Sequence, residues 1–191
     1  MKFVRGLILS AILLLFGASS VLGQNYNSGF GIDEFRAGVL FHSIDEPGPN
    51  GEALNFTRLQ DVSFEILFTS PDLDVFRWIG SPRPNIGVTA NLAGLESMAH
   101  LALTWQIPLW ESDFFLEASF GAAIHNGAFN GAVYPERNLG CLLQFYEAGG
   151  IGMNVSDQVS VILEIEHAST ANICTPNKGL TSLGVKVGFK F

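Results

Sequence analysis

The chain has 191 residues, only 15% of them charged, and acidic side chains outnumber basic ones 18 to 10. A balance this acidic offers no basic footprint for phosphate backbones, which excludes nucleic-acid binding as the main activity. The 21 glycines and 16 phenylalanines suit short strands, tight turns and an aromatic wall facing lipid.

The N-terminus reads as an export signal. Lys2 and Arg5 form a basic start, residues 7–16 an apolar run, and Val21-Leu22-Gly23 a cleavage site before Gln24. That run is well short of the roughly 20 apolar residues a spanning helix needs. The expected division is a signal peptide over residues 1–23 and one domain over residues 24–191.

The rest of the chain alternates. Apolar residues at every second position mark a strand with two unlike faces. The first such segment is residues 35–41, with Phe35, Ala37, Val39 and Phe41 on one face. Residues 62–68 set Val62, Phe64, Ile66 and Phe68 against Ser63 and Glu65, and residues 86–92 set Ile86, Val88, Ala90 and Leu92 against Gly87, Thr89 and Asn91. Residues 99–107 oppose Leu101, Leu103, Trp105 and Ile107 to His100, Thr104 and Gln106. The fifth segment spans residues 114–124, the sixth residues 139–145 and the seventh residues 159–169. The eighth ends the chain: Leu183, Val185, Val187, Phe189 and Phe191 fall on one face, Ser182, Gly184, Lys186, Gly188 and Lys190 on the other. Eight alternating segments behind an export signal predict an all-β, eight-stranded antiparallel transmembrane β-barrel in the outer membrane, with the apolar face toward lipid.

An even strand count puts both termini on the periplasmic side. The outer loops are then residues 43–61, 93–97, 125–138 and 170–179, and the inner turns residues 70–84, 108–113 and 147–157. The first inner turn is long, and its residues 72–79 are expected to form an interfacial helical turn anchored by Trp78. Gly149-Gly150-Ile151-Gly152 lacks a full phosphate-binding pattern and is read as turn chemistry. Glu164 and Glu166 on the seventh strand and Lys186 and Lys190 on the eighth point into the lumen, where they can pair or simply be solvated. Cys141 and Cys174, an even number in an exported chain, are expected to form a disulfide at the extracellular rim. Two unrelated thiols are the alternative.

Strand seven carries the chemistry. Its lipid-facing row runs Val161, Leu163, Ile165 and then His167 and Ser169. An imidazole and a hydroxyl on a lipid face are costly unless they sit near the interface or have a task. Two-residue spacing puts both on one face, roughly 7 Å apart, and a histidine can take the proton of a serine and make it a nucleophile. His42, His100 and His125 are scattered without metal-ligand spacing, so no metal site is expected.

Glu166-His167-Ala168-Ser169-Thr170-Ala171-Asn172, followed by Pro176-Asn177-Lys178-Gly179-Leu180 and an aromatic C-terminal strand, resembles the outer-membrane lipid A 3-O-deacylases (PagL-type). It is similar also to the related bacterial acyloxyacyl hydrolase group. Looser similarity runs through Arg83-Pro84-Asn85-Ile86-Gly87, residues 115–121 and Leu139-Gly140-Cys141, while residues 24–80 add little. The resemblance implies an active site on the outer wall, where a His-Ser pair cleaves the ester holding a 3-hydroxyacyl chain to lipid A. It implies His167 as general base, Ser169 as nucleophile and Asn177 as oxyanion support. The family's glutamate, fourteen positions after the histidine, falls on Thr181, and Thr170 stands where asparagine is usual. Glu166 is adjacent but should face the lumen. The expected function is therefore an outer-membrane serine esterase acting on lipopolysaccharide without a cofactor. The alternative is a non-catalytic barrel, structural or lipid-binding, that has lost the acid.

Overall fold

A computed structural model of the protein describes residues 31–191. The expected signal peptide, residues 1–23, lies outside the described residues. Eight strands follow one another: β1 (Ile32–Phe41), β2 (Leu59–Phe68), β3 (Arg83–Asn91), β4 (Met98–Pro108), β5 (Phe114–His125), β6 (Leu143–Asn154), β7 (Val159–Ser169) and β8 (Leu180–Lys190). Each pairs antiparallel with its neighbour, and β8 pairs with β1, closing the barrel without a free edge. Closure and alternation together put one side chain in two on each wall. Phe64, Ile86, Leu101, Phe120, Leu163, Val185, Val187 and Phe189 are exposed on the outside, as a hydrocarbon surround requires.

The lumen is packed and charged. Arg36 on β1 bonds Glu34 at 2.9 Å and Glu117 on β5 at 2.5 Å, and Arg83 on β3 reaches Glu34 at 2.7 Å. Lys186 on β8 sits 2.6 Å from Glu65, 2.5 Å from Glu164 and 3.5 Å from Glu166. Lys190 differs from expectation: its ammonium donates to Asn154 at 2.8 Å, near the periplasmic end, rather than to a strand-seven glutamate. The carboxylate oxygens of Glu65, Glu164 and Glu166 lie within 4.8 Å of one another, and the Lys186 ammonium already supplies the cation among them.

The sixth strand corrects the sequence reading. It runs Leu143–Asn154, not over residues 139–145, so Glu147 and Gly149-Gly150-Ile151-Gly152 belong to a strand and not to a turn. Gly150 and Gly152 give way to close neighbours. A Cβ on Gly152 would strike the ring of Phe115, and one on Gly150 would lie 2.6 Å from the Leu163 carbonyl. The inner turn shrinks to residues 155–158. The long inner connection does hold a short helix, α1 (Asp74–Trp78). Trp78 and Trp110 are 86% and 90% exposed at this end, the interfacial position that suits an indole.

Candidate active site

The site is built on the extracellular end of β7. Ala168 points inward, into a buried cluster with Met98, Ala102, Ala123, Leu139, Tyr146 and Leu180. That packing anchors the strand, and alternation then turns His167 and Ser169 to the outer wall. Across β6 the register sets Phe145 opposite Ser169 and Glu147 opposite His167. Across β8 it sets Thr181 opposite His167.

Thr181 does more than face the imidazole: its Oγ1 lies 2.8 Å from Nδ1 of His167. A hydroxyl can accept the Nδ1 proton and leave Nε2 with a free lone pair, the tautomer a general base needs. It fixes the ring but brings no charge. Gly179, with φ +67°, makes room for the same ring, because a Cβ there would stand 2.8 Å from Cε1 and 3.2 Å from Nε2. The imidazole thus turns Nδ1 toward Thr181 and sets Nε2 beside Gly179. Among the described residues, no hydrogen bond joins His167 to Ser169.

The loop after Ser169 is tightly built. Ile173 donates its N–H to the Thr170 carbonyl at 2.9 Å, and the two central residues, Ala171 and Asn172, have φ of 50° and 67°. That is the backbone sign of a type I′ turn, and non-glycine residues held there mark a segment whose shape is imposed by its surroundings. Asn177 accepts the Gly179 N–H through Oδ1 at 3.0 Å. The Cys141–Cys174 disulfide, with Cα atoms 5.6 Å apart, ties this loop to the strand-five-to-six loop. Lys178 donates its N–H to Asn138 at 2.9 Å, and Arg137 Nη2 donates to the Lys178 carbonyl at 3.0 Å. The sequence indicated the disulfide; the Arg137 and Asn138 clamps carried no motif and emerge only from tertiary packing.

Beneath these loops, at the outer end of the lumen, His42 is buried between two carboxylates. Its Nδ1 lies 3.0 Å from Asp61 and its Nε2 3.2 Å from Glu96. Burial alone would lower its pKa, but the hydrogen bonds and charges of Asp61 and Glu96 prevail and raise it to about 9. His100 stacks on Tyr146 at 4.0 Å inside the barrel, and His125 contacts the Cys141 carbonyl at 2.8 Å. These three histidines are far from the outer wall in role and support the lumen and loops.

The comparisons with known proteins agree with this architecture. The family model described as Lipid A 3-O-deacylase (PagL) matches residues 69–190. The crystal structure of the outer membrane enzyme PagL superposes with a TM-score of 0.54 at 18% identity, covering 83% of this chain and 99% of that one. The N-terminal β-barrel domain of Pseudomonas aeruginosa OprF gives a TM-score of 0.48 at 9% identity, over 84% of this chain and 99% of that one. No curated protein sequence matches. The barrel and the family put this protein in the bacterial outer membrane. With its match spanning well over half the sequence, the chain belongs to the lipid A 3-O-deacylase (PagL) family.

Proposed function

We propose that the protein is a serine esterase that removes an ester-linked 3-hydroxyacyl chain from lipid A, the lipid moiety of lipopolysaccharide. What carries this reading is the sharing of one lipid-facing wall by His167 and Ser169, with Nδ1 of His167 held by Thr181, in a chain of this family. Lipid A in the outer leaflet would bring its acyl esters to the level of that wall. Ser169 Oγ attacks the ester carbonyl carbon while His167 Nε2 takes the hydroxyl proton. The tetrahedral intermediate collapses as His167 returns the proton to the departing sugar oxygen. Water, deprotonated by His167, then cleaves the acyl-enzyme and releases the 3-hydroxy fatty acid. Backbone N–H groups of the Ala171-Asn172 turn, assisted by Asn177, are suited to receive the oxyanion. The scheme requires no cofactor.

One observation favours the second reading, a non-catalytic lipid-binding barrel: the residue bonded to Nδ1 is Thr181, which cannot carry negative charge as a carboxylate does. Mass spectrometry of lipid A from cells with and without the protein separates the two. Loss of one hydroxyacyl mass, abolished by Ser169→Ala, is expected; unchanged lipid A at full expression would establish the non-catalytic barrel.

A further inference from the structure

Glu147 occupies an unusual place. It lies on β6 with its side chain on the outer wall, at the level of His167 on one side and Phe120 on the other. Two apolar residues, Leu143 and Phe145, lie further out in its own row, 65% and 42% exposed, so Glu147 is not at the edge of the apolar band. Among the described residues its carboxylate has no hydrogen bond and no ion pair. A carboxylate toward lipid is costly unless it faces a compensating charge. The residue directly across the strand pair, with Cβ atoms ~5 Å apart, is His167.

Building on the esterase reading above, we propose that Glu147 supplies the negative charge that the family's acid would otherwise bring, acting through His167 as a positioning residue. Thr181 and Glu147 then divide between them what one carboxylate does elsewhere. Thr181, from β8, orients the ring through Nδ1. Glu147, from β6, offsets the imidazolium that forms when His167 accepts the Ser169 proton. The proton moves only from Ser169 Oγ to His167 Nε2 and on to the leaving oxygen; none passes to Glu147.

The other charges facing the ring do not serve this purpose. Asp45 and Arg137 act on it from the outer loops, but they bond each other, at 2.5 Å from Arg137 Nη1 and 3.1 Å from Nη2. They act on the ring in opposite senses and are engaged with each other. From β8 the neighbour is the neutral Thr181. Glu147 is the carboxylate left unpaired.

The test combines an imidazole titration with kinetics on the full barrel in detergent micelles. Following the His167 ring by NMR, Glu147→Gln should make it bind its proton roughly tenfold less tightly, and Glu147→Asp should retain most of that affinity. With lipopolysaccharide as substrate, Glu147→Gln should lower kcat roughly tenfold or more with KM little changed, and move the acidic limb of the pH profile to lower pH. Adding Thr181→Glu to Glu147→Gln should restore kcat. A His167 titration unmoved by Glu147→Gln, or unchanged kcat, would overturn the role of Glu147 while leaving the esterase intact. A wild-type barrel no more active than Ser169→Ala would instead overturn the esterase reading, and the catalytic role of Glu147 with it.

Discussion

At the residue scale, the outer wall carries two side chains whose placement has no packing purpose. Neither His167 nor Ser169 supports the buried cluster, which is held by Ala168 between them. Ser169→Ala and His167→Ala should therefore each abolish deacylation while the heat-modified gel mobility of the folded barrel stays unchanged. If the pair acts as one unit, the double variant should be hardly slower than either single one. His42 makes the opposite kind of claim. Its folded pKa of about 9 exceeds the ordinary value of 6.5, so the protonated form is the one the fold prefers. The stabilisation from Asp61 and Glu96 is then complete below about pH 6.5 and is lost as pH rises through about 9. Melting curves of wild type and His42→Asn should differ most at pH 6 and converge by about pH 10.

At the scale of elements, the strand-seven-to-eight loop and β8 bear the load. The Cys141–Cys174 bond and the clamps from Arg137 and Asn138 hold the loop carrying Asn177 against its neighbour. Replacing both cysteines with serine should cost about 2–4 kcal/mol in unfolding free energy, because the unfolded chain regains a long loop. Activity should fall as well, through a looser Asn177, measurable as hydroxyacyl release. On β8 the lipid-facing Val187 is 50% exposed. Val187→Arg should destabilise the barrel by roughly 2–4 kcal/mol if that position lies near the bilayer midplane, as urea titration in lipid vesicles would read. The same change in a soluble fold's exposed strand would cost little.

At the scale of the whole molecule, the interior is an ionic core that holds opposite walls together. Lys186 on β8 spans to Glu65 on β2 and Glu164 on β7, and Arg36 on β1 to Glu117 on β5. The Arg36–Glu117 bond crosses the lumen, while Lys186 ties its own strand to the adjacent β7 and to β2 on the far side of β1. Lys186→Ala would leave buried Glu164 and Glu166 without their cation and Glu65 with Arg36 alone, and should cost roughly 3–5 kcal/mol by the same urea titration. Replacing Lys186 and Glu164 together should cost much less than the sum of the single changes, the sign of a coupled pair.

Much of this was legible from the residues in order. Strict alternation determined strands, faces and the lipid-facing wall, because a two-residue period assigns every side chain to one side or the other. It likewise set His167 and Ser169 on a common outer face, and two cysteines in an exported chain indicated their bond. Three things needed the closed barrel. The extent of β6 was hidden because Glu147 and three glycines carry the composition of a turn, and only the bulk of Phe115 and the approach of β7 make glycine the residue that fits there. Lys190 found Asn154, on β6 beyond the neighbouring β7, a pairing across strands that alternation within one strand does not assign. The surroundings of His167, Thr181 on one side and Glu147 on the other, depend on the register of two strand pairs. Register is a property of neighbouring strands and not of one, which is why local sequence could name the histidine but not the carboxylate beside it.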